Sequence, residues 1–231
     1  EPKRGMTFKG EPKTNVTVIG SFNAPNNANV QFTVDGLRFE GGGFGQSASK
    51  SPRMIASSST VAEPNLFTIR NCYFGEMASQ GALFLQLAGV QAGPWGSYII
   101  ESNYFFHSRD VFLSYGSNVI FRGNYCDGAD LAVGIHRLVN CRIENNTFVN
   151  GAMVRGYNPG TEFYLSSITN YVINNNFINF STTPLQAMNA WNGTNITYVA
   201  TNNYWGTVNG PYDQTNFAAG ETFDNTFEVC E

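Results

Sequence analysis

Positive charge is what this sequence runs short of. Its four lysines end at Lys50 and its last arginine is Arg155, while six acids follow: Glu162, Asp213, Glu221, Asp224, Glu228 and Glu231. Over the whole chain 13 Lys and Arg stand against 17 Asp and Glu, for a net charge of −4. That balance argues against a nucleic-acid partner, and the C-terminal half is not expected to hold a polyanion such as pectin or alginate. No apolar run reaches membrane-spanning length and no secretory leader opens the chain, so membrane insertion is not expected. No regular outward Thr-x-Thr ladder is visible, which argues against ice binding. Histidine is limited to His107 and His136, and cysteine to Cys72, Cys126, Cys141 and Cys230.

What the chain does have is a phrase of eight residues that recurs along its length. The copies are Phe32-Thr-Val-Asp-Gly-Leu-Arg-Phe39, Phe67-Thr-Ile-Arg-Asn-Cys-Tyr-Phe74, Tyr98-Ile-Ile-Glu-Ser-Asn-Tyr-Phe105, Val119-Ile-Phe-Arg-Gly-Asn-Tyr-Cys126, Cys141-Arg-Ile-Glu-Asn-Asn-Thr-Phe148 and Tyr198-Val-Ala-Thr-Asn-Asn-Tyr-Trp205. Tyr171-Val-Ile-Asn-Asn-Asn-Phe-Ile178 reads as an altered copy, and a partial one opens at Met6. Starts lie between 21 residues apart (Tyr98 to Val119) and 35 (Phe32 to Phe67). A fixed rung with loops of varying length between rungs is the signature of a solenoid.

The columns of the repeat carry physical content. Positions 1 and 3 are apolar in almost every copy, which places them on one face of a strand. Position 6 is Asn in Asn103, Asn124, Asn146, Asn176 and Asn203. A buried amide is costly unless it is hydrogen-bonded, and a column of stacked amides meets that need. Position 8 is expected to stack Phe39, Phe74, Phe105, Phe148 and Trp205 in the interior. Position 4 reads Lys9, Asp35, Arg70, Glu101, Arg122, Glu144, then Asn174 and Thr201. Alternating sign through successive rungs is what in-register parallel stacking requires, and the column reads as a surface ladder rather than a catalytic site.

Phrases such as Ile143-Glu-Asn-Asn-Thr-Phe148 and Asn202-Asn-Tyr-Trp-Gly206 resemble the right-handed parallel β-helix repeat superfamily, the pectate-lyase-like solenoids. The resemblance spans about Met6 to Trp205. It implies an all-β chain folded as one right-handed parallel β-helix of about eight coils over residues 1–231. Residues from about 206 to 231 would form a C-terminal tail or cap. No capping helix is read before Met6, so a standard N-terminal cap is expected to be missing and uncapped ends could self-associate. The superfamily contains polysaccharide lyases, glycoside hydrolases, esterases, adhesins and proteins without activity. The Asn-Thr-Asp and Gly-His-Gly signatures of its polygalacturonases are absent here, as are the Leu-Gly-Arg-Pro-Trp of its esterases and the Arg-x-Pro-x-x-Arg of its lyases.

Between rungs a further strand is read at Ala82–Leu85, Asp110–Leu113, Asp130–Val133, near Met153–Arg155, and at Leu185–Met188. Aligning these places Asp110 and Asp130 in one column on adjacent coils. Two carboxylates that close need a cation or a shared proton. The resemblance implies a sugar-acting site there, with Asp110, Asp130 and Arg155 catalytic and Asp110 and Asp130 holding Ca²⁺. Asp127, His136, Arg137, Tyr115, Tyr157 and Trp191 are the candidate substrate contacts. The competing reading is structural: Asp127 and Asp130 would cap a tight Asp-Gly turn, and Asp110 would pair with Arg109 or Arg137. Trp95, Trp191, Tyr115, Tyr157, Tyr164 and Tyr212 read as loop aromatics. They could stack on sugars or cover the outward apolar column Ile99, Ile120, Val172 and Val199.

Low lysine content with abundant Asn, Thr, Ser, Gly and Tyr suits an extracellular or cell-surface setting. Cys126 and Cys141 occupy inward columns too far apart for a bridge and read, with Cys72, as small buried hydrophobes. Sequons occur at Asn15, Asn145, Asn179, Asn192 and Asn195, as expected by chance in so Asn-rich a chain. The expected function is binding, and if catalytic also cleavage, of a polysaccharide or cell-surface glycan. The alternative is a structural or adhesive module that self-associates or belongs to a larger surface protein.

Overall fold

The computed structural model describes residues 4–11, 15–19, 22–23, 30–40, 55–59, 66–75, 83–87, 97–107, 110–128, 131–150, 154–157, 167–179, 185–186 and 195–206. They are all-β and wind into a parallel solenoid, each coil passing in turn through three parallel sheets. The first sheet stacks Arg4–Lys9, Val30–Asp35, Leu66–Arg70, Ser97–Glu101, Ile120–Arg122, Arg142–Glu144, Ser167–Ile173 and Asn195–Thr201. The second stacks Val16–Ile19, Leu37–Glu40, Tyr73–Phe74, Tyr104–Phe106, Tyr125–Asp127, Thr147–Val149 and Asn176–Ile178. The third stacks Phe22–Asn23, Ile55–Ser59, Leu83–Leu87, Asp110–Ser117, Leu131–Val139, Val154–Tyr157 and Leu185–Gln186.

The eight-residue phrase is therefore two strands and a corner. Positions 1 and 3 face inward from the first sheet, as in Phe67 and Ile69 or Val119 and Phe121, all buried. Positions 6 and 8 face inward from the second, as in Asn103 and Phe105. The change from odd to even happens at position 5, where the backbone is left-handed in Gly36, Asn71, Ser102, Gly123, Asn145, Asn174 and Asn202. Gly and Asn tolerate that conformation best, which explains the recurrent Asn-Asn pair: the first turns the corner and the second enters the core.

The corner leaves backbone groups that the sheets do not serve, and the interior Asn column serves them. In the rung of Asn146, Oδ1 accepts from the Asn124 backbone N–H at 2.9 Å and from Asn124 Nδ2 at 3.1 Å. Its Nδ2 donates to the Phe121 carbonyl at 2.9 Å and to Asn175 Oδ1 at 2.9 Å. The same pattern repeats at Asn103, Asn124 and Asn175, and ends on Asn203, whose Nδ2 donates to the Val172 carbonyl at 2.7 Å. One coil earlier Cys72 takes the column, with its thiol 3.1 Å from the Arg70 carbonyl.

Position 8 stacks as expected. Phe39, Phe74 and Phe105 follow one another at 5.0 and 4.8 Å, and Phe148, Phe177 and Trp205 at 5.0 and 4.7 Å. Cys126 breaks the run. Phe121 of the first sheet fills the space, 6.0 Å from Phe105 and 6.4 Å from Phe148. Cys72, Cys126 and Cys141 are free and buried.

One copy is shifted by a residue from its sequence alignment. Arg142 pairs with Tyr171 and Glu144 with Ile173, so that rung begins at Asn170 rather than Tyr171. Asn175, not Asn176, joins the ladder, and Phe177 takes position 8. Val172 is buried, and its place in the outward column belongs to Tyr171, over whose ring Arg142 lies at 5.1 Å. Three successive asparagines, 174–176, hide the register from a reading based on residue type alone.

The charged column is in register: Lys9, Asp35, Arg70, Glu101, Arg122 and Glu144 sit opposite one another in turn. Arg70 meets Asp35 at 3.0 Å and Arg122 meets Glu101 at 2.7 Å. Glu144 is taken from the side by Arg142, and Lys9 by Glu11.

Two outcomes follow. Asn146→Ala strips partners from the buried Asn124 N–H and the Phe121 carbonyl, and should lower stability in urea by about 2–5 kcal/mol; a loss under 1 kcal/mol would show that the ladder is replaceable. Arg122→Glu would place a third acid between Glu101 and Glu144, costing about 1 kcal/mol, since Arg122 is half-exposed and salt screens the pair. An unchanged melting temperature at low salt would contradict the register.

Candidate functional site

Alternation along the second strand leaves position 7 pointing outward, and there the repeat carries Arg38, Tyr73, Tyr104, Tyr125, Thr147, Asn176 and Tyr204. Tyr73 pairs with Tyr104, Tyr104 with Tyr125, and Tyr125 with Thr147, so in-register stacking lines the rings up. Centroids are 5.4 Å apart for Tyr73 and Tyr104 and 5.0 Å for Tyr104 and Tyr125, each pair 13° from parallel. The Arg38 guanidinium lies 3.9 Å from the centre of the Tyr73 ring.

Beside the rings runs an open groove of about 420 Å³, edged by the corner residues Asn71, Ser102 and Gly123. Its size falls within the range of small-ligand sites. At Gly123 a methyl group would meet nothing closer than Ser102 Oγ at 3.8 Å, but its φ of +59° favours glycine. The groove is thus edged by an amide and a hydroxyl on one side and by aromatic rings on the other. Burial among its neighbours raises the Tyr104 pKa, and the nearby Asp127 carboxylate adds to the effect. Tyr104 therefore stays a neutral phenol that can donate as well as accept.

Of the residues singled out in the sequence, Asp127 belongs to this face. It ends the Tyr125–Asp127 strand, and its Oδ1 accepts from Asn150 Nδ2 at 2.7 Å. Asn179 Nδ2 in turn donates to Asn150 Oδ1 at 2.9 Å, which makes a second, external amide run. The Asp-Gly turn is present, with Gly128 at φ +65°. A side chain there would collide with the His107 ring, which stacks on Phe106 at 4.1 Å.

Asp110, Tyr115, His136, Arg137, Arg155 and Tyr157 lie on strands of the third sheet, so Tyr115 and Tyr157 are not loop residues. Backbone register brings Ser114, His136 and Tyr157 into one column and sets Gly134 beside Arg155. Asp110 pairs with Leu131, and the register then shifts before Phe112 pairs with Gly134. The column expected for Asp110 and Asp130 is thus displaced by one residue at Asp110. Asp130, Trp191, Trp95, Tyr164, Tyr212, Arg109 and Cys230 lie outside the described residues. Among the described residues, which do not include Asp130, no group of three or more His, Cys, Asp or Glu could hold a metal ion. No helix among them is long and apolar enough to cross a membrane.

The tyrosine row was not picked out from sequence, although its signal is printed in the repeat: Tyr at position 7 in four copies, flanked by inward positions 6 and 8. The chain matches no family model, no curated protein and no solved structure.

Cys72 borders the groove but is no nucleophile, since burial pushes its thiol up to about 11, and burial drives those of Cys126 and Cys141 higher still. In a Cys230→Ser variant, a water-soluble disulfide reagent at pH 8 should modify none of the three until the chain is unfolded. Rapid labelling of one thiol in the native state would show that the rung at Cys72 opens.

Proposed function

We propose that this protein is an extracellular or cell-surface β-helix of the pectate-lyase-like kind that binds a polysaccharide along the outer face of its second sheet. The observation that carries the reading is the row Tyr73, Tyr104 and Tyr125 beside an open polar groove. Sugars combine apolar C–H faces with hydroxyl edges, and this face offers both partners: ring surface and edge, phenol hydroxyls, the Asn71 amide and the Ser102 hydroxyl. Its rigidity supports the same use, because each ring is fixed by its backbone register and needs little ordering on binding. Cleavage by Asp110, Asp130 and Arg155, with Ca²⁺ as cofactor, rests on the family resemblance alone.

A second reading is a structural or adhesive module whose first described coil packs against a second copy or against more of a larger surface protein. In its favour, Met6, Phe8 and Val16 are 37–42% exposed, whereas the residues in register with them on the next coil, Phe32, Val34 and Leu37, are buried.

Affinity electrophoresis against soluble plant, algal and bacterial polysaccharides, with product release followed with and without Ca²⁺, tests both. Retention by at least one glycan is expected, and Tyr104→Ala should weaken it roughly tenfold. Retention by none, together with concentration-dependent sedimentation, would replace glycan binding by assembly.

A further inference from the structure

The tyrosine row is not a flat tape. Parallel rings with centroids 5.0–5.4 Å apart cannot lie side by side in one plane; they overlap as an offset stack. Interior faces are therefore covered by neighbouring rings, and a ligand along the groove meets edges and hydroxyls. Only the two end faces of such a stack can be open. The Tyr73 end is covered by the Arg38 guanidinium. At the other end Tyr125, 38% exposed, is followed in the column by Thr147, which carries no ring.

We infer that the free face of Tyr125, above Thr147, is a subsite that takes one pyranose unit of a neutral glycan. This rests on the glycan reading given above and names its anchor and its class of ligand. The place over Thr147 is where a fourth ring would continue the stack, so a sugar with an apolar C–H face completes it. In the next column along this face Asp127 pairs with Val149, which is buried, and Val149 with Ile178, which is 40% exposed, so a carboxylate and one exposed apolar side chain flank the place over Thr147. Asp127 uses one lone pair for Asn150 and has others to accept hydroxyl hydrogens. Charge selects against uronates. Among the described residues with placed side chains, every Lys and Arg already has a carboxylate: Lys9 with Glu11, Arg38 with Glu40, Arg70 with Asp35, Arg122 with Glu101 and Arg142 with Glu144. An acidic sugar over Thr147 would stand beside Asp127 with no unpaired cation among the described side chains to offset it.

Thr147 is then the residue that keeps the subsite open. Wild type, Thr147→Phe, Thr147→Ser and Tyr125→Ala are compared by affinity electrophoresis on soluble β-glucan, xyloglucan and galactomannan, with pectate and alginate alongside, and by thermal melting. Thr147→Phe should melt higher than wild type, because it lengthens the stack. It should bind the retained neutral glycan roughly three- to tenfold more weakly, because it fills the subsite. Thr147→Ser should bind as wild type and Tyr125→Ala as weakly as Thr147→Phe. Thr147→Leu fills the same space without a ring and replaces Thr147→Phe should that variant not fold. Wild-type binding by the filled variants, with loss in Tyr104→Ala, would overturn the subsite while leaving glycan binding in place. Stronger retention by pectate or alginate than by neutral glycans would overturn the ligand class. Retention by no polysaccharide would remove the parent reading and this one with it.

Discussion

Everything in this solenoid depends on how a buried corner satisfies its backbone. Where the first sheet turns into the second, the position 5 N–H reaches the carbonyl of position 4 on the next coil, as from Asn145 to Ile173 at 3.1 Å. The position 7 N–H reaches the position 6 carbonyl of the coil before, as from Thr147 to Asn124 at 2.9 Å. That leaves the position 6 N–H and the position 3 carbonyl inside an apolar core. One asparagine amide per coil supplies an acceptor for the first and a donor for the second. Leaving either unpaired costs on the order of 1–3 kcal/mol, several times a surface ion pair. The interior column is thus a backbone requirement expressed through side chains, and the outer charged column is a smaller supplement.

Fixing the corner also fixes what the outside can display. A left-handed residue at position 5 reverses which of the following positions face solvent, so position 7 emerges on every coil at nearly the same place. Side chains there must stack at strand spacing whether or not they attract, and rings accept that spacing as offset stacks. The tyrosine row and the Asp127–Asn150–Asn179 run follow on the second sheet, and the Asn118–Asn140 contact at 2.7 Å repeats the strand-spacing stack at the separate corner that leads from the third sheet into the first. The site inherits its rigidity from the core without a dedicated framework.

The same rule explains what could be read in the sequence. Apolar positions 1 and 3, the asparagine column, the stacked position 8 and the alternating charges were legible because each is a demand repeated on many coils. The rung at Asn170 was misplaced by one residue because its asparagines satisfy two registers equally, and only the place of Phe177 decides between them. The tyrosine row was passed over for a different reason. Reading the phrase as one strand makes positions 5 and 7 seem equivalent, and the corner that separates them is a backbone conformation carried by Gly, Asn or Ser, with no apolar pattern to announce it. The Asp110 column slipped because a bulge between Asp110 and Phe112 changes the register within one strand, which residue types do not record.

A periodic body has no special place, so any discrete site must lie where the period fails. Three failures stand out. Cys72 replaces the amide at the groove and ends the interior ladder. Cys126 replaces a ring in the core, and Phe121 repairs the gap from the opposite sheet, keeping the interior filled. Thr147 replaces a ring outside, and among the described residues of that column none repairs it: Asn176, next in line, carries no ring either. A gap in the core lowers stability and is closed by packing, whereas a gap on the surface costs little and persists as a free aromatic face. Extending the stack would add ring contacts, so its end at Thr147 is not required by folding, and that is why the proposed subsite is placed there.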